Sequence, residues 1–295
     1  MKQAPMRQAK VALAAGANLG ECPRWDEKAQ LLYWTDINAG QLHRFDPATG
    51  KDEFLQFDEE LGCFSLRKEQ GFVLGMRSGF FFLDGWDTKV RAIADPEADM
   101  PSNRFNDGRC DAAGRFIAGT VYPPKDRDGA SLYSLGTDLQ VTRLKDGLLT
   151  SNGVAFSPDN KTFYFSDTPK HVIYCYDYEL ETGTMTNGRV FHQFPHGNGR
   201  PDGAAVDAEG CYWTALYEGG RVVRLNPQGN IVEEITVPAK CPTMVALGGE
   251  DLKTLYITSV GNRPEEELKQ YPDSGAIFHV RVDVPGLPEY RFEGR

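Results

Sequence analysis

Long apolar runs, basic stripes and paired metal-binding cysteines are all missing from this 295-residue chain. No apolar stretch approaches the roughly 20 residues of a membrane-spanning helix, so no membrane role is expected. The formal charge is −10 and the 32 Lys and Arg are scattered. A phosphate-backbone partner calls for a cationic stripe, so nucleic acid is not expected either. The six cysteines contain no C-x-x-C pair and no zinc spacing. They read as buried free thiols in a reducing cytoplasm. Only five histidines occur, with no convincing metal-ligand pair, and G-x-S-x-G, H-E-x-x-H and G-x-x-x-x-G-K are absent. A histidine-based triad, a zinc centre and a phosphate loop are therefore poor readings. Sustained helical periodicity is missing too.

What is present is a strand pattern repeated six times. Its middle strand reads Leu31–Asp36, Phe72–Arg77, Arg115–Val121, Thr162–Thr168, Cys211–Tyr217 and Thr254–Val260. Each copy is rich in aromatic or β-branched residues, and turns such as Asp111-Ala-Ala-Gly114 or Ser157-Pro-Asp-Asn160 precede them. A third strand begins near Gln41, Gly79, Ala130, Val172, Arg221 and Gly275, an inner strand precedes each middle one, and an outer strand follows. Units of roughly 40–50 residues with several strands each are the mark of propeller blades. The expectation is an all-β, six-bladed β-propeller with four-stranded blades, one domain over residues 1–295. Lys10–Ala17 reads as a strand closing the ring rather than as a leader peptide. A monomer is the default.

Polar residues stand just before the inner strands: Glu21 after Leu19-Gly20, Asn106 in Arg104-Phe-Asn-Asp-Gly108, Asn152 in Ser151-Asn-Gly153, and Asp202 in Pro201-Asp-Gly203. Asn-Gly and Asp-Gly are also ordinary turn formers. Four polar loops in equivalent register, however, place Glu21, Asn152 and Asp202 around one axis. Such oxygen donors suit Ca²⁺, Mg²⁺ or Mn²⁺, and Zn²⁺ also accepts carboxylate. A central site for one divalent ion is therefore expected, its identity open.

The segments Leu19–Trp25, Arg104–Thr120, Ser151–Thr168 and Arg200–Ala215 resemble the gluconolactonase and regucalcin (senescence marker protein) family of sugar lactonases. That resemblance runs through all six units. It implies that Glu21, Asn152 and Asp202 are metal ligands, that Asp202 is also the general base, and that Arg104 and Asn106 contact substrate. The implied reaction is metal-assisted hydrolysis of a sugar lactone by water, the partner being that small molecule. A calcium-binding or interaction propeller without catalysis and a hydrolase of another ester are the alternatives. One position departs: Pro124 stands, by count, where regucalcin-like members carry a substrate-contacting glutamate. The following loop, Lys125-Asp126-Arg127-Asp128, reads as exposed and charged.

Overall fold

A computed structural model describes residues 7–295. Its six sheets follow one another along the chain, and the inner strands are Gly20–Asp26, Leu61–Leu66, Arg104–Cys110, Ser151–Phe156, Arg200–Val206 and Pro242–Gly248. Each inner strand packs against the next, and the sixth against the first, which closes a ring. The molecule is a six-bladed β-propeller. Middle strands fall within one or two residues of the sequence reading, from Leu31–Asp36 to Thr254–Ser259.

Burial falls from the axis outward. Gly20–Asp26 and Pro242–Gly248 are buried at every residue, because neighbouring blades cover both of their faces. Outer strands such as Thr184–Gln193 are largely exposed. The narrow inner end also demands small residues. A Cβ on Gly203 would lie 2.2 Å from Met244 Cγ of the next blade.

The sixth blade lacks an outer strand of its own, and Lys10–Leu13 supplies it antiparallel to Ile277–Arg281. The start of the chain thus closes the ring, as expected, though the strand stops at Leu13 rather than Ala17. Gly16 turns left-handed (φ +63°), and the Ala17 amide instead donates to Gly275 O at 2.9 Å. Gly275 is itself left-handed, so the third strand there begins two residues later than read. A short segment, Arg7–Gln8, adds a parallel fifth strand to the fifth blade.

The far end of the chain had no role in the repeat. After Val282 it crosses the face opposite the predicted site. Gly286 bridges Asp207, Arg291 pairs with Asp26, Phe292 donates to Leu66 O, and Glu293 donates to Gly114 O. These contacts reach the bottom turns of four blades and leave the other face open.

Candidate active site

All five predicted side chains arise from inner strands at the open end of the channel. At that end every inner strand loses register with its middle strand: between Glu21 and Arg24, Leu61 and Cys63, Phe105 and Asp107, Asn152 and Ala155, Pro201 and Ala204, Pro242 and Val245. A bulge there breaks the strict alternation of a strand and re-aims a side chain. The predicted residues therefore lie within the strands rather than before them, because pairs such as Gly20 with Asp36 begin each strand ahead of the bulge.

The bulges have visible causes. Gly153 follows Asn152 with φ +62°, and a Cβ there would meet the Tyr212 hydroxyl at 2.2 Å. Cys22 follows Glu21 with φ +46°, a conformation that is costly without glycine. Asp36 and Asp167, which end their middle strands, hold the chain entering these bulges. Asp36 accepts from the Asn18 and Leu19 amides at 2.7 and 3.0 Å, and Asp167 from Leu149 and Thr150 at 3.2 and 3.0 Å.

One hydrogen-bond relay crosses three blades. Arg104 Nη1 donates to Asn106 Oδ1 at 2.8 Å, and Asn106 Nδ2 donates to Asn152 Oδ1 at 2.7 Å. Asn152 Nδ2 donates to Thr168 Oγ1 at 2.8 Å, and Thr168 donates to Pro201 O at 2.8 Å. Guanidinium can only donate, so it sets the amide orientation of Asn106 and, through it, of Asn152. Asn152 Oδ1 keeps a second lone pair for another partner.

Glu21 and Asp202 share one buried electrostatic environment. Burial pushes the Glu21 carboxyl well above its ordinary range, and the charges of Asp202 and Asp107 add to this. The Cys22 amide, at 3.2 Å, and Arg104 oppose it. Asp202 is likewise raised by burial and then by Asp107, with Arg200 and Lys125 acting against the shift. Asp202 Oδ1 is buried with no hydrogen-bond partner. Two buried carboxylates held near each other, one with an orphaned oxygen, suit a divalent cation with Asn152 Oδ1 as a third donor. Among the described residues no cluster of three His, Cys, Asp or Glu side chains forms a metal group; the set here is two carboxylates and an amide.

Several participants escaped the sequence reading. Asp107 lies beneath the pair and accepts from the Gly108 and Val154 amides at 2.7 and 3.0 Å. Arg24, 1% exposed, stands 3.8 Å from it. Thr168 completes the relay. Lys125 is exposed, as expected of its loop, yet lies close enough to influence Asp202. Of the aromatics near the motifs, Phe105 packs in the core, 4.2 Å from the Phe80 ring centre. Tyr217 instead sits at the mouth between Arg200 and Arg263, whose guanidinium carbons lie 5.0 and 5.7 Å from its ring centre. All six cysteines are free and buried, and among the described residues no helix is long and apolar enough to cross a membrane.

A propeller with acidic and amide side chains on its inner strands is a fold-level class; the comparisons narrow it. The chain belongs to the SMP-30/gluconolactonase/LRE-like family, whose sequence model matches residues 19–261. It is 48% identical to a 6-deoxy-6-sulfogluconolactonase of Pseudomonas putida over 94% of this chain and 95% of that protein. It is 35% identical to regucalcin of Xenopus laevis, again over 94% of this chain and 95% of that protein. A solved calcium-binding regucalcin from Agrobacterium tumefaciens superposes with a TM-score of 0.92 at 27% identity, covering 97% of each chain.

Proposed function

We propose that this site opens the ester ring of an aldonolactone with water, Glu21, Asn152 and Asp202 holding one divalent cation. The observation that carries the reading is the buried Glu21–Asp202 pair, with its orphaned Asp202 oxygen, beside the oriented amide of Asn152. The cation, when bound, supplies Lewis-acid polarisation of the lactone carbonyl. All-oxygen donors favour Ca²⁺, Mg²⁺ or Mn²⁺.

The remaining work falls to the protein. Water attacks the carbonyl carbon, and Asp202 accepts the proton it loses. The ring C–O bond then breaks, and the departing alkoxide oxygen takes up a proton, so that lactone and water become an aldonic acid. Arg104 and Asn106 orient sugar hydroxyls; Arg104, permanently protonated, cannot be the base. The Pseudomonas relative is named for a gluconolactone carrying a sulfo group at C6, which brings charged aldonolactones into the class considered.

Proton release from a panel of aldonolactones tests this, using metal-stripped protein with and without Ca²⁺, Mg²⁺, Mn²⁺ or Zn²⁺. Hydrolysis restored by one of these ions is the expected result. No rate above the spontaneous one with any ion would leave another ester, or a propeller that binds calcium without catalysis.

Glu21→Gln gives a second expectation, in which stability and function move oppositely. The glutamine keeps the shape and removes a buried charge that Asp202 and Asp107 oppose. The metal-free variant should melt higher by about 2–4 °C for each kcal/mol relieved, and calorimetry should show weaker cation binding. Unchanged cation affinity would remove Glu21 from the ligand set.

A further inference from the structure

The mouth above Asp202 is cationic, although the whole chain carries a net charge of −10. Arg200 precedes Asp202 by two residues on one strand, about 6–7 Å along it. Beside Arg200 opens a cavity of about 380 Å³ lined by His171, His196, Arg200, Lys240 and Arg263. Its two acids are already engaged: Glu218 accepts from Arg200 Nη2 at 2.9 Å, and Glu267 accepts from Arg263 at 2.7 and 3.0 Å.

Unused donors remain. Arg200 Nε is buried without a hydrogen-bond partner, and so is His171 Nδ1, which donates in one tautomer of the ring. Lys240 is half-buried and makes no ion pair with a described residue. The rings of His171 and His196 lie 4.1 Å apart, so two imidazoles share one wall. Buried donors left unpaired are costly and call for an acceptor. Across the mouth, Lys125 is held left-handed (φ +54°), its amide donating to Tyr122 O at 3.2 Å. Its charge acts on Asp202, while its acidic neighbours are engaged elsewhere, Asp126 accepting from the Tyr122 hydroxyl at 2.9 Å and Asp128 pairing with Lys170 at 2.9 Å. Confined positive charge of this kind concentrates anions from solution.

We propose that this cavity is a subsite for a tetrahedral oxyanion borne on the far carbon of the sugar lactone, a sulfonate or a phosphate ester, held by Arg200, Lys240 and the His171–His196 pair with Lys125 at the rim. The placing of the lactone ring rests on the lactonase reading; the anion site stands on its own donors. Arg200 joins the two, its charge acting on the Asp202 carboxylate and its side chain lining the cavity that would hold the anion. Its guanidinium is fixed for this by Glu218 and by the ring of Tyr217.

The test compares gluconolactone with its C6 sulfonate and C6 phosphate in cation-loaded protein. Calorimetry of the corresponding ring-opened acids, which cannot react, runs in parallel. Wild type should favour an anionic lactone in kcat/KM by about tenfold or more, in keeping with charge-assisted hydrogen bonding. Lys240→Gln and Lys125→Glu should each cut that ratio severalfold, a readout that a general loss of activity would not move. A larger gain for the phosphate ester assigns the cavity to a dianion, and a larger gain for the sulfonate to a monoanion. Equal treatment of charged and neutral compounds, in rate and in binding, would overturn the subsite. If no lactone is hydrolysed while the sulfonated or phosphorylated acid still binds more tightly than gluconate, the lactonase reading falls and the anion site remains.

Discussion

Asp202→Ala is expected to lower kcat for lactone opening by roughly 10³-fold or more while leaving the propeller folded. A positioned proton acceptor alone typically contributes about 10²–10⁴-fold, and this substitution also removes an oxygen from the proposed cation site. Folding should survive because the side chain does little to hold the structure. One of its oxygens is buried without a partner, and burial already opposes its charge. Thermal melts of the metal-free proteins should show Asp202→Ala at or above wild type. Asp202→Asn separates the two roles, since it keeps an oxygen for the cation and loses the proton acceptor. Near-wild-type turnover in the asparagine variant would end the general-base role, and full activity in the alanine variant would end the mechanism.

The repeat was legible because aromatic and β-branched middle strands mark each blade regardless of what the other blades do. The third strands began where read in five blades, and the sixth moved only because Gly275 takes a left-handed turn. The ring of candidate side chains was legible for a related reason: Glu21, Asn106, Asn152 and Asp202 recur at one place in the unit. What stayed hidden depends on contacts between blades. Thr168 becomes part of the site only because it lies between Asn152 and Pro201. Asp36 and Asp167 look like ordinary strand ends until their oxygens are seen holding the entry to a bulge. Lys125 sits in a loop whose charges alternate, and nothing local distinguishes the residue whose charge acts on Asp202 from those whose charge does not. The closing tail belongs to no repeat, so periodicity was silent about it.

The same cross-blade logic predicts that Arg24→Met will be strongly destabilising. Arg24 is buried in the first blade, donating to Pro23 O at 3.0 Å and to Gly108 O of the third. Its guanidinium stands 3.8 Å from Asp107, and both are sealed from solvent. Removing one partner of a buried pair costs about 3–5 kcal/mol, because the other charge is left uncompensated. At this size that corresponds to a fall in Tm on the order of 10 °C. Lost packing of the long side chain could lower stability as well, and a double-mutant cycle separates the causes. If the orphaned charge dominates, adding Asp107→Asn to Arg24→Met should recover part of the loss, although Asp107→Asn alone destabilises by weakening its bonds to the Gly108 and Val154 amides. If packing dominates, the two losses should simply add. Recovery would mean that Arg24 stands under the site as the counter-charge that lets a third carboxylate remain beneath Glu21 and Asp202.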